Sequence, residues 1–86
     1  MKYIMFDTGD MPLFVVFSEN AQHKAIATAL AGVDVGVSVH PVKVGKPIAA
    51  GFVNMDNEGV YVHGSSESLG VGTTDEARKW AKVLRR

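Results

Sequence analysis

The chain has no cysteine. That excludes a disulfide framework and a thiolate metal site, and it fits a reducing compartment. No apolar run approaches the roughly 18 residues that a membrane-spanning helix needs, and residues 1–7 lack the apolar stretch of a secretory leader. Neither charge is in excess: nine Lys and Arg balance nine Asp and Glu. A duplex-binding module usually carries a basic excess over its whole surface, so that class is disfavoured. Aromatic residues are sparse, and none is interleaved with arginine as in single-strand-binding grooves. There is no internal repeat, linker or low-complexity tract. A cytoplasmic protein without a membrane segment is expected, with residues 1–86 forming one domain around a small core.

The richest stretch is Gly64-Ser65-Ser66-Glu67-Ser68-Leu69-Gly70-Val71-Gly72-Thr73-Thr74 and the helix that follows, residues 75–86. The glycines permit unusual dihedrals, the serines can bond neighbouring backbone, and Leu69 reads as a plug into the core. Thr73 and Glu76 have capping-box spacing. Ala77, Trp80, Ala81 and Leu84 share one helix face; Arg78, Lys79, Lys82 and Arg85 share the other. Asp75 and Glu76 sit at the positive helix end, and Asp75 can pair with Lys79. A Gly/Ser loop before a helix can also bind phosphate. Here the spacing fits neither a P-loop nor a dinucleotide fingerprint, and Glu67, Asp75 and Glu76 would repel an anion. The favoured reading is a packed loop that caps a helix.

The rest of the chain alternates between strand and turn signals. Residues 3–6 read as a short strand, residues 7–12 as a turn, and the apolar run 13–17 as a second strand covered on both faces. Ser18 reads as the N-cap of a helix over residues 19–31, with His23, Ile26, Ala27 and Leu30 as its apolar stripe and Gly32 as its stop. Residues 33–44 alternate, with a phase change at His40-Pro41 that predicts a bent edge strand. Residues 48–55 and 60–63 read as strands joined by the hairpin loop Asp56-Asn57-Glu58-Gly59. The order ββαβββα predicts an α+β two-layer sandwich: about five mainly antiparallel strands with two helices on one face. The uncovered face would then be solvated or would bind something, with Tyr3, Met5, Tyr61 and His63 as its candidates.

Chemistry-bearing constellations are few. Ile4-Met5-Phe6-Asp7-Thr8-Gly9-Asp10 resembles the active-site motif of retroviral-type aspartic proteases, which would require a homodimer sharing a proton between two Asp7 carboxylates. The likeness ends after seven residues, the strands that should precede the motif have no room, and Asp-x-Gly is also ordinary turn chemistry. His23, His40 and His63 lack metal-ligand spacing, and His23 reads as a packed core histidine. The serines lack a nucleophile elbow. Trp80 reads as core. No catalytic residue, metal or cofactor is expected.

Charge is uneven along the chain. Residues 1–76 hold nine acids against four lysines, a net −5, and residues 77–86 hold the remaining five bases. The basic helix face reads first as a solvated surface matched to the helix dipole. As a nucleic-acid interface it would use Arg78, Lys79, Lys82, Arg85 and Arg86.

One pattern spans most of the chain: Val15-Val16-Phe17-Ser18-Glu19, His23 with the alanine-rich helix, Lys46-Pro47-Ile48-Ala49-Ala50-Gly51-Phe52-Val53, Gly64-Ser65-Ser66-Glu67-Ser68-Leu69-Gly70, and the short basic-ended helix. It resembles small uncharacterised proteins encoded by phages and prophages, with Ser-Glu-Ser-Leu-Gly its most distinctive piece. Residues 70–74 depart from it, so the helix entry differs. The resemblance implies a small single-domain accessory protein of the bacterial cytoplasm and no catalytic residue. The resulting expectation is a non-catalytic interaction protein that binds a host or phage protein through an open sheet face or edge strand. Its candidate residues are Tyr61, His63, Ser65, Ser66, Glu67 and Ser68. Edge pairing would also allow a homodimer.

Overall fold

A computed structural model describes residues 1–9, 11–35 and 42–83. Strand β1 (Lys2–Phe6) lies between β2 (Leu13–Phe17) and β5 (Pro47–Asp56), and β6 (Gly59–His63) completes the sheet in the order β2-β1-β5-β6. Every pairing in it is antiparallel. Helices α1 (His23–Leu30) and α2 (Asp75–Val83) complete the α+β architecture. Two small ribbons lie outside the sheet: β3 (Asp34–Val35) with β4 (Val42–Lys43), and β7 (Ser65–Ser66) with β8 (Val71–Gly72).

Successive side chains of a strand point to opposite faces. On β1 this divides the core in two. Tyr3 and Met5 join Ala49, Val53 and Val62 beneath Ala77 and Ala81 of α2, with Phe14, Val60 and Trp80 packed against them. Ile4 and Phe6 join Val44 and Ala50 on the other face, covered by Ile26, Ala27 and Leu30 of α1 and by Leu69 and Val71. The helices therefore cover opposite faces, which corrects the expected two-layer arrangement with both on one face. The physical reason lies in β1: Tyr3, Ile4, Met5 and Phe6 are all fully buried, and both faces of such a strand need a cover. Tyr3 and Met5, expected on an open face, are core residues beneath α2.

Among the described residues of the expected fifth strand, 33–35 and 42–44, none joins the main sheet. Its ends pair with each other, Asp34 with Lys43 and Val35 with Val42, and Val44 donates its amide to the Val33 carbonyl at 2.9 Å. The expected bend at His40-Pro41 lies outside the described residues, as do Asp10, Leu84, Arg85 and Arg86.

Helix α1 begins later than its sequence predicts. The Ser18 hydroxyl accepts the Asn20 amide at 3.1 Å and its carbonyl accepts the Ala21 amide at 3.1 Å. These bonds make a turn, so Ser18 does not cap a helix; Gln22 is the N-cap and makes no side-chain cap bond. The cap of α2 is displaced by one residue. Ala77, the third helical residue, donates to Thr74 Oγ1 at 3.0 Å. Thr73 has other work: its hydroxyl accepts from Tyr3 Oη at 2.7 Å. Asp75 pairs with Arg78 at 3.2 Å instead of with Lys79.

Tyr3 thus ties the middle of the sheet to the entry of α2, and its ring stacks on Phe14 at 4.9 Å. Gly51 lies opposite Tyr3, and a Cβ there would overlap the His63 carbonyl oxygen and press on Thr73 Oγ1. Burial pushes the Tyr3 hydroxyl above its ordinary pKa of 10.0, opposed by its bond to Thr73 and by the Arg78 charge.

Loss of the cap in Thr74→Ala costs about 1 kcal/mol. Thr73→Ala costs about 1–3 kcal/mol, because it strands a buried hydroxyl. Urea unfolding with an unchanged denaturant slope checks both, and Thr74→Ser should restore most of the cap. The second expectation concerns alkaline pH. The neutral Tyr3 hydroxyl is favoured in the folded state, so its contribution is full below the unfolded pKa. It is lost as pH rises from about 10 through the higher folded value. Unfolding curves across that window should show the decline in wild type and a smaller one in Tyr3→Phe.

Candidate functional site

The face of the sheet that carries Ile4 and Phe6 is only partly covered by α1. Beyond the helix N-terminus a row of side chains runs across all four strands: Phe17, Lys2, Phe52 and His63, each paired with the next. Phe52 organises this row. The His23 ring meets its edge at 6.0 Å, and the His63 ring stacks on it at 5.9 Å with an interplanar angle of 27°. Gly64 passes close against the same ring; a Cβ there would fall 2.9 Å from Phe52 Cδ2, and its φ of +77° suits only glycine.

His23 is buried and well partnered. Its Nε2 lies 2.9 Å from the Gly51 carbonyl oxygen, and a carbonyl only accepts, so Nε2 carries the proton. Phe17 meets it edge-on at 5.5 Å. This is the packed, hydrogen-bonded histidine expected from its place on the apolar side of the helix.

Between α1 and the β7–β8 ribbon lies an open cleft of about 540 Å³. Ser65, Ser66, Glu67 and Ser68 line it from one side, Gln22 and His23 from the other, and Lys2 and Phe52 also contribute to its wall. The four candidates from the Ser-rich loop are thus brought together at one place. The loop is itself a small hairpin. Ser66 pairs with Val71, its carbonyl accepts the Gly70 amide at 2.9 Å, and its buried hydroxyl accepts the Leu69 amide at 3.3 Å. Leu69 packs into the core as the sequence predicts. Lys2 Nζ donates to the Ala21 carbonyl at 2.9 Å, which holds its charge at the cleft wall.

Tyr61 and His63 are exposed on the same face, one strand further out. Asn54 lies opposite Tyr61, and its amide donates to His63 Nε2 at 3.3 Å. Phe52, Asn54, Tyr61 and His63 form a continuous exposed group along one face of the β5–β6 hairpin, with Tyr61 47% accessible. Sequence reasoning places Phe52 and Asn54 in a strand without singling them out for the site, and it misses Lys2. Their cross-strand pairing to His63, Tyr61 and Phe17 depends on register, which the residues alone do not reveal.

The basic face of α2 is on the opposite side of the sheet. Arg78, Lys79 and Lys82 are all exposed, but acids are interspersed among them. Arg78 is paired with Asp75, Glu58 lines a groove with Arg78 and Lys82, and Glu76 shares a hollow with Lys79. The Asp7-Thr8-Gly9 motif closes the β1–β2 connection. The Asp7 carboxylate accepts the Gly9 amide at 3.0 Å, and the Thr8 hydroxyl donates to the Met11 carbonyl at 2.6 Å. These are the bonds of an Asx-type turn.

Among the described residues no three His, Asp or Glu side chains are grouped as a metal site, and no helix is long and apolar enough to cross a membrane. No protein-family model, curated protein or solved structure matches the chain.

Proposed function

We propose that the chain is a small non-catalytic interaction protein, phage-encoded, that binds a host or phage protein in the bacterial cytoplasm. The observation that carries this reading is the exposed group Phe52, Asn54, Tyr61 and His63 beside the cleft of Ser65, Ser66, Glu67 and Ser68. Interface cores favour aromatic residues, tyrosine among them with its apolar ring and polar tip, inside a polar rim. Here the aromatic members stand on a two-strand hairpin, so little side-chain or loop ordering is needed on binding. The phage resemblance of the Ser-Glu-Ser-Leu-Gly piece supplies the biological setting. Engagement of the Asp7 carboxylate inside its own turn supports a role without a catalytic carboxylate.

Affinity capture from bacterial extract, with and without nuclease, checks the proposal. The expected result is a stoichiometric protein partner that survives nuclease and is lost with Tyr61→Arg combined with His63→Glu. A catch that disappears with nuclease would overturn it in favour of a nucleic-acid interface, and Lys79→Glu with Lys82→Glu should then abolish binding and its steep salt dependence. Capture of nothing in either arm would also overturn it.

A further inference from the structure

The outer edge of β6 has a directional chemistry of its own. The two-residue turn Asn57-Glu58 makes Asp56 and Gly59 a hydrogen-bonded pair. The ladder alternates from there, so Tyr61 and His63 bond to β5 through their backbones, while Val60 and Val62 turn their amides and carbonyls away from it. Among the described residues no further strand of the sheet lies on that side. Beside this edge runs a groove of about 220 Å³ between β6 and α2. Val60, Val62 and Ala81 supply its apolar lining; Arg78 and Lys82 stand on the helix side, and Glu58 at the hairpin end.

We propose that β6 takes up an extended segment of a partner protein as an added strand, whose side chains facing α2 are apolar and acidic. This rests on the reading of the chain as an interaction module and names how it binds. Outward amides and carbonyls on an edge strand are matched by another backbone. The guest's side chains alternate. One set enters the groove, where the lining takes an apolar group and, among the described residues, Arg78 and Lys82 stand against Glu58, with Asp75 paired to Arg78 beyond the lining. The other set lies beside Tyr61 and His63, so a single strand uses both faces at the hairpin end. Among the described residues Arg78 pairs with Asp75, whose side chain is fully accessible, and such an exposed pair yields readily to a guest carboxylate.

The test uses the whole chain and short synthetic peptides with valine and aspartate on one face and threonine on the other. Fluorescence anisotropy measures binding, and amide hydrogen exchange at Val60 and Val62 reports strand pairing. The expected result is binding with both amides protected. Affinity should fall at least about tenfold when lysine replaces aspartate, or when the sheet-facing peptide amides are N-methylated. Val60→Pro removes one outward amide at a position where an edge strand tolerates proline, and it should abolish binding. Should that variant fail to fold, Arg78→Glu with Lys82→Glu decides the matter by reversing the preference to the lysine peptide. No binding up to about 1 mM overturns the proposal, as does equal affinity for acidic and basic peptides. A concentration-dependent dimer lost in Val60→Pro also overturns it, because the occupant is then a second copy. If a captured partner is lost with Tyr61→Arg and kept with Val60→Pro, strand addition fails while the interaction-protein reading stands.

Discussion

Burial of β1 on both faces is the constraint from which the rest of the structure follows. A strand with Tyr3, Ile4, Met5 and Phe6 all withdrawn from water needs a neighbour at each edge and a cover above and below. β2 and β5 supply the edges, and α1 and α2 supply the covers. The faces are not closed in the same way. Beneath α2 the small residues Ala49, Ala77 and Ala81 let the helix come close, and Tyr3 locks the contact through Thr73. On the other face, α1 covers only the half near Ile4, Phe6 and Ala50. The half that holds Phe52, Asn54, Tyr61 and His63 remains accessible. The exposed group therefore lies on the part of the sheet that α1 touches only through its first residue, His23.

Phe52 connects the core to this accessible region. Its edge faces His23, whose proton is committed to the Gly51 carbonyl, while its ring stacks with an exposed histidine. A rigid interior and a solvent-facing surface thus share one side chain. Glycines at 51 and 64 make this possible, because each brings backbone close to a neighbour where a Cβ would intrude.

The elements most legible in the sequence were those in which several signals agreed. In α2, alanine spacing, acidic residues at its start and basic residues toward its end all pointed to the same helix. The Asp56–Gly59 turn had equally clear chemistry: Asp56 Oδ1 accepts the Glu58 amide at 2.8 Å and the Gly59 amide at 3.1 Å. What failed was choice between equivalents. Thr73 and Thr74 offer the same hydroxyl, and only the position of Tyr3 decides which one caps. Ser18 serves a turn as well as a helix end. Alternation over residues 33–44 marks extended backbone without saying what it pairs with. The same holds for the faces: parity places Tyr3 with Met5 and Tyr61 with His63, but only register shows that the two pairs point in opposite directions. The Ser-rich stretch was legible as a candidate site, yet its fold into a hairpin was not, because Ser65 and Ser66 have no strong strand preference.

The bond between Tyr3 and Thr73 joins the first strand to the threshold of the last helix. In order of synthesis, β1 appears before any of the others, but its second face cannot be covered until α2 is in place. Its pairing with β5 closes a large loop as well. Assembly of the core must therefore wait for distant parts of the chain, and an early fragment would leave an apolar strand uncovered. Folding with such non-local closure is slow for its size and strongly all-or-none, and truncation before α2 should abolish the fold instead of trimming it.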